Sequence, residues 1–238
     1  MAAKVLIIGS APDSLYCRDW KYQPFDAIIA INNAWQVRSD WTHSIFPEDF
    51  PKSKHARPKK GQVLLSSEDY VQTQNEYGGF VYAGGTMAFT APYWVLARLK
   101  PKIIAFIGCD MIYEGKRTHF YGKGTADPLR EDITLKNLLA KSARIEAFAS
   151  LQNCAVINLS QKKSSNLIFP RKPISSFLGK TTLKPRVFNA KKISAVRRIE
   201  EKLAYFEKSG KYWKKFGKYL PEEIDKVDKL WLDTLEKI

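Results

Sequence analysis

Short apolar runs, each ending on a glycine or a polar turn, recur through the first two thirds of the chain. KVLIIG from Lys4, DAIIAINNAW at 26–35 and KIIAFIGCD at 102–110 are continuous and rich in β-branched residues. That pattern predicts strands buried on both faces, because a strand with one wet face alternates. VLLSS at 63–67 and FVYAGG at 80–85 predict two more strands, and CAVINLS at 154–160 a last one. TMAFTAPYWVLARL at 86–99 has helix composition with Pro92 inside it, which predicts either that Pro92 occupies the first turn or that it kinks the helix. Residues 133–152 place Leu135, Leu138, Leu139, Ile145 and Phe148 at helical spacing. Residues 36–62, with Pro47, Pro51 and Pro58, and residues 111–130 read as irregular.

Strands alternating with helices predict an α/β fold over residues 1–160: a Rossmann-like, open, mainly parallel sheet with helices on both faces. Past 161 the texture becomes turn-rich, with helices expected at 190–208 and 221–238. The second opens on Pro221 and two glutamates and carries a stripe of Ile224, Val227, Leu230, Leu232 and Leu235. Residues 161–238 are therefore expected to be a mostly helical C-terminal extension packed on the core.

Charge separates the two regions further. Of the net +15 on 238 residues, +14 falls within 160–218, where seventeen Lys and Arg face three acids. Such a region concentrates polyanions: nucleic acid, anionic lipid headgroups or a phosphorylated glycan. It reads equally as a solvated, solubilising face. Cys17, Cys109 and Cys154 are odd in number and lack CxxC spacing, so neither a disulfide framework nor a zinc site is expected. No window approaches the ~18 apolar residues of a membrane span, and the first apolar run is too short for a secretory core. The expectation is a cytoplasmic protein, with peripheral attachment to the inner membrane face as the one membrane role its charge suggests.

Six stretches can carry chemistry. Gly9-Ser10-Ala11-Pro12-Asp13-Ser14 follows the first strand, where small residues let backbone amides approach a phosphate and open parallel sheets bind ligands. It is neither GxGxxG nor a Walker sequence. Asn32 and Asn33 end the second strand, with amides suited to a ribose or base edge; they read equally as turn formers. Gly84-Gly85-Thr86 opens a helix. Gly108-Cys109-Asp110, with Tyr113, ends the fifth strand, and Asp110 there suits a sugar hydroxyl, a metal or a loop cap. His119 sits in KRTHFYGKG; a histidine titrates near neutrality and is a natural general base, and it reads equally as a packing residue. Tyr113 and Tyr121 suit a departing phosphate oxygen, and Arg117, Lys123 and Arg130 its charge. Beyond the last strand, Ser164, Ser165 and Arg171 can reach nucleotide or acceptor.

In this order the stretches resemble two related groups. One is the bacterial sialyltransferase family that uses CMP-sialic acid; the other gathers archaeal 6-hydroxymethylpterin diphosphokinase and the motility accessory factors that glycosylate flagellin. The resemblance spans roughly residues 3–160. It rests on the turn after strand one, AINNAW, the GGT before a helix and the IGCD after a strand. It implies nucleotide contacts from Gly9, Ser10, Ala11, Asn32 and Thr86, a phosphate-contacting Tyr113, a base near His119 and no metal. The chain departs from the sialyltransferases in having Ser10-Ala11 for Asn-Gly and an extra Asp13. Their base position falls on Lys123, and His119 matches a neighbouring histidine.

The sequence thus predicts a metal-independent glycosyltransferase with no tightly bound cofactor, taking a CMP- or other nucleotide-activated sugar to an anionic acceptor. The absence of a DxD favours that reading. Rivals are an ATP- and Mg2+-dependent pyrophosphokinase, with Asp110 on the metal, and a nucleic-acid-binding or DNA-base-glycosylating protein. For the latter, Tyr212, Trp213 and Phe216 interleaved with Lys211, Lys214 and Lys215 suit base stacking.

Overall fold

The computed structural model describes residues 3–20, 24–113, 118–122, 131–177 and 183–236. Six strands form one open, all-parallel sheet: β1 (Lys4–Ile8), β2 (Ala27–Ile31), β3 (His43–Ile45), β4 (Val63–Leu65), β5 (Ile103–Ile107) and β6 (Ala155–Asn158). Their order is β4-β3-β2-β1-β5-β6. Successive strands step outward on one side as far as β4, and the chain then returns across the sheet to lay β5 on the other side of β1. The order therefore reverses between β1 and β5, and that boundary is where the loops of an open sheet leave a crevice. The central strands are apolar throughout because both faces are covered; β2 and β5 have no residue in contact with solvent beyond a trace.

The α-helices are α1 (Ser67–Glu76), α2 (Phe80–Ala83), α3 (Met87–Arg98), α4 (Leu138–Leu151), α5 (Ala190–Leu203) and α6 (Pro221–Leu232). All six join the core on one face of the sheet, with Val5, Ile7, Ile29, Ile104 and Phe106. The opposite face, bearing Leu6, Ile8, Ile28, Ala105 and Ile107, is covered by Cys17, Phe25, Ala34, Trp41 and Phe120 from 3₁₀ turns and loops. Helices on both faces were expected; among the described residues the connections after β1, β2 and β3 form only 3₁₀ turns, so this face carries no α-helix.

FVYAGG is helix α2 rather than a strand. Gly79 and Gly84, both at positive φ, bound a single turn, which a four-residue apolar run satisfies as readily as a strand. Helix α1 begins where the Ser66 N–H donates to Asp69 Oδ2 at 2.7 Å. Pro92 is the sixth residue of α3, past the first turn, and the helix continues through it. The predicted helix over 133–152 is a 3₁₀ turn, Ile133–Leu135, followed by α4, and Leu139 is exposed. In α6 the inner face is Ile224, Val227, Asp228 and Trp231, whereas Leu230 faces out.

The C-terminal region is tied to α4 by buried ions. Arg144 Nε and Nη2 donate to Glu200 of α5 at 2.9 and 2.7 Å, and Nη1 to the Tyr93 hydroxyl at 2.8 Å. The indole N–H of Trp231 donates to the same Glu200 at 2.7 Å, and Lys141 Nζ reaches Asp228 at 2.6 Å. Among the described residues no helix is long and apolar enough to cross a membrane. All three cysteines are free and buried.

Candidate functional site

Past the sheet, the chains leaving β1 and β5 stay in contact. The Gly9 N–H donates to the Ile107 carbonyl at 2.8 Å and the Ala11 N–H to the Gly108 carbonyl at 3.1 Å. Glycine is required twice: a Cβ on Gly9 would stand 2.2 Å from Gly108 O, and Gly108 holds φ +70. The chain then turns at Pro12 into a 3₁₀ helix, Pro12–Cys17. The Ser14 N–H donates to the Ala11 carbonyl at 2.9 Å. The amides of Gly9, Ala11 and Ser14 are thus used within the turn and Pro12 has none. The backbone cradle expected for a phosphate reduces to Ser10 and Asp13.

The side chains offer more. Asp13 is 5% exposed, and Ser14 and Asp110 are fully buried. Among the described residues, eleven buried side-chain atoms lack a hydrogen-bond partner, and five of them gather at the ends of β1, β2 and β5: Asp13 Oδ1 and Oδ2, Ser14 Oγ, Asn32 Oδ1 and Asp110 Oδ2. Native interiors pair nearly all such groups, so a cluster of unmet acceptors at the strand-order reversal points to a ligand. Asp110 is held by its other oxygen, which accepts from Asn158 Nδ2 at 2.7 Å. Asn158 Oδ1 in turn accepts the Ser160 N–H at 2.9 Å. Lys162 Nζ stands 4.0 Å from Asp13. Burial pushes the Asp13 carboxyl above its ordinary range, the Ser160 hydroxyl and Lys162 oppose that rise, and the Asp110 charge adds to it. Left-handed backbone falls at the same edge, with Asn32 at φ +53 and Met111 at φ +54.

A small hairpin closes over the turn. His119 and Gly122 exchange backbone bonds at 3.0 Å, and the Phe120 N–H donates to the Ser10 carbonyl at 2.9 Å. The Phe120 ring anchors it in the second-face core. His119 is buried with its ring between Tyr113, at 5.9 Å between centroids, and Tyr121, at 5.0 Å. Thr118 Oγ1 lies 2.9 Å from Nδ1. Burial pushes the imidazole below its usual pKa, which keeps it neutral near pH 7.

Of the other expected site residues, Asn33 is buried beside Asn32 in a 3₁₀ segment, Asn32–Gln36. Ser165 Oγ accepts from the Leu167 N–H at 3.1 Å and from Asn158 at 3.3 Å. Arg171 is exposed and donates to the Lys162 carbonyl. Arg117, Lys123 and Arg130 lie outside the described residues. The Gly84–Thr86 turn is engaged elsewhere. The Gly85 N–H donates to Thr134 Oγ1 at 2.9 Å, and the Tyr212 hydroxyl occupies the space a Gly85 Cβ would take. Tyr212 also donates to Asp132 at 2.8 Å. Thr86 is the buried residue that precedes α3. Beside this turn a groove of about 880 Å³ opens between Asp132–Lys136 and Phe216–Pro221.

Asn158 was not singled out from the sequence, although a polar residue closing an apolar strand (VINLS) was a signal; Ser160 and Lys162 fall inside the 160–171 loop expected to reach the crevice. Compared with family models, curated proteins and solved structures, the chain matches none.

Proposed function

We propose that the chain is a Rossmann-like glycosyltransferase that moves a sugar from a nucleotide-activated donor to a hydroxyl of an anionic acceptor. The observation that carries this reading is the buried His119, pinned through the Phe120 backbone onto a turn surrounded by unmet polar atoms, where burial lowers the imidazole pKa. In the tautomer whose Nδ1–H donates to Thr118, Nε2 takes the acceptor proton. The acceptor oxygen bonds the anomeric carbon, the bond from that carbon to the phosphate oxygen breaks, and the nucleotide leaves. Asn32 and Asn33 suit the nucleoside, and the unmet acceptors suit donors such as sugar hydroxyls. Tyr113 and Tyr121 flank the base where a leaving phosphate needs hydrogen bonds.

The groove beside Lys136 suits the acceptor. Its lining sets Lys136 beside Glu131 and Asp132, and the exposed Trp213 and Phe216, in sequence among Lys211, Lys214 and Lys215, suit an anionic glycan or the membrane surface carrying one. One observation favours a second reading, an ATP-dependent pyrophosphokinase: Asp13 and Asp110 are both buried beside the switch point with unmet carboxylate oxygens, as carboxylates handling a metal–phosphate complex would be.

Incubation with CMP-, UDP- and GDP-sugars and with ATP, each with and without EDTA, separates the two. Release of CMP, UDP or GDP that His119→Ala abolishes supports the transferase. Consumption of ATP alone, with AMP released and EDTA inhibiting, overturns it.

A further inference from the structure

The segment that covers Gly85 turns apolar side chains to the solvent. Residues 213–218, within the 3₁₀ segment Tyr212–Lys218, are all exposed. Trp213 and Leu220 are each 50% exposed and Phe216 38%, so three of the eleven large apolar side chains that the described residues expose fall within eight positions. Scattered singly, such residues need no explanation; gathered, they mark a contact surface. Tyr212 gathers them. Its buried ring meets Trp213 at 5.5 Å between centroids and Phe216 at 5.7 Å, and is itself stacked on Phe80 at 6.0 Å. The Tyr219 N–H then donates to the Phe216 carbonyl at 3.2 Å, and the Leu220 N–H to the Tyr205 hydroxyl at 3.2 Å. We propose that Trp213, Phe216 and Leu220, with Lys214 and Lys218, dock the protein on an anionic membrane surface.

Charge selects this partner. Lys211 is paired with Glu48 at 3.1 Å, Lys215 with Glu207, and Glu223 with Lys226. Lys214 and Lys218 have no ion-pair partner among the described residues, so their charge is left for something outside the chain. A tryptophan ring is at home at the headgroup level, and a lysine can lay its stem on apolar surface while its ammonium meets a lipid phosphate. Nucleic acid fits the surface less well. Two unpaired cations make no track along a phosphate backbone, and Leu220 has no ring face on which a base can stack.

The position of the surface gives it a use. All six strands are parallel, so their carboxyl ends share one edge of the sheet. Glu48, which holds Lys211, lies three residues past the end of β3. Helices α3 and α4 run back to the starts of β5 and β6, so the turns ahead of them lie at that same edge. There Tyr212 covers Gly85 and donates to Asp132 at 2.8 Å. The Gly9–Ser14 turn and the His119 hairpin leave the sheet at this edge too. A chain docked through Trp213, Phe216 and Leu220 therefore sets its site beside the bilayer, where an acceptor carried on a lipid would meet it. In naming a lipid-linked acceptor this rests on the glycosyl-transfer reading; the docking itself does not.

The test is sedimentation of the full chain with vesicles of phosphatidylcholine alone and of phosphatidylcholine and phosphatidylglycerol in equal parts. The wild-type chain is expected to bind the mixed vesicles at least tenfold more tightly than the neutral ones, and less tightly as salt rises. Lys214→Ala combined with Lys218→Ala should weaken that binding about tenfold. Trp213→Ser and Leu220→Ser should each weaken it about fivefold, with the melting temperature of the Leu220→Ser chain unchanged. No binding to the mixed vesicles at low salt, equal binding to both kinds, or full binding by the lysine variant or by Leu220→Ser would each overturn the proposal. So would weakened binding of single-stranded DNA in these variants with vesicle binding intact, which would assign the surface to nucleic acid. Failure of the glycosyl-transfer reading looks different: vesicles bound as described, with no nucleotide sugar consumed in their presence.

Discussion

Arg144, Lys141, Glu200 and Asp228, where α4 meets α5 and α6, are as deeply buried as Asp13 and Asp110 at the β1–β5 seam. In the first place nearly every charge is answered. Arg144 gives two bonds to Glu200 and one to Tyr93, and Lys141 meets Asp228, of which one oxygen alone is unpartnered. In the second, both Asp13 oxygens, one Asp110 oxygen and the Ser14 hydroxyl lack a hydrogen-bond partner, and Asp13 is faced by Lys162 at 4.0 Å. Burial costs a charge its hydration in either place. Where the protein supplies the partner, the charge serves to position one helix on another. Where it does not, the fold holds a deficit that something from outside can relieve.

The largest effect belongs to catalysis. His119→Ala should lower glycosyl transfer by about 10²–10⁴-fold, the usual yield of a positioned base, with the melting temperature little changed. The rate with the wild-type chain should fall as pH drops through the His119 pKa, which lies below 6.5. A pH profile that is flat there would remove His119 from the reaction.

Next comes the helix seam. Arg144→Met strands Glu200 in the interior and should cost about 3–5 kcal/mol, measured by urea denaturation. For a chain of this size that lowers the melting temperature on the order of 10 °C. A loss under about 1 kcal/mol would mean that the pair's order is not what fixes α5 on α4.

At the β1–β5 seam the sign should reverse. Asp13→Asn removes a buried charge whose desolvation outweighs the help of Ser160 and of Lys162 at 4.0 Å, so the unliganded chain should gain stability, on the order of 1 kcal/mol. A large loss instead would place Asp13 among the structural charges and erase the contrast.

The smallest effect is a pH dependence set by two histidines, His119 beside the β1–β5 seam and His43 in β3. Burial depresses the folded-state pKa of His43 and His119 below 6.5. Each therefore contributes stability that is present above about 6.5 and is lost as pH falls through the folded value. Denaturation at pH 7.5 and pH 5.5 should show that loss, reduced when His43 is replaced by Phe.

The sheet was legible where residues had no other use. VLII, AIIAI and IIAFI are too apolar and too β-branched for anything but buried strands, and β1, β2 and β5 begin within a residue of where the runs at 4, 26 and 102 were placed, although β2 and β5 stop earlier, at Ile31 and Ile107. Strand β3 was not legible, because HSI is three residues in a proline-rich polar stretch and is a strand only through its pairing with β2 and β4. FVYA misled because four apolar residues carry no period, and the positive φ of Gly79 and Gly84 decides for a helix. At the site, Gly9, Asp110 and His119 were legible as residue types at strand ends. That Gly85 would be covered by Tyr212, more than a hundred residues on, was not, since only the docking of the C-terminal region determines it. Asp13 showed as an insertion in a turn, where acids commonly cap helices; its burial is a product of the β5 and β6 loops closing over it.

The claim beneath all of this is that the unmet acceptors around Asp13, Ser14, Asn32 and Asp110 form a nucleotide site. Its most direct test is the melting temperature of the full chain with Mg2+ and CMP, UDP, GDP or ATP, in the wild type and in Ser14→Ala and Asn32→Ala. At least one nucleotide should raise the wild-type melting temperature, since a ligand held only by the folded state stabilises it, and both substitutions should shrink that rise. No shift with any nucleotide, or a shift that both variants keep in full, would contradict the account.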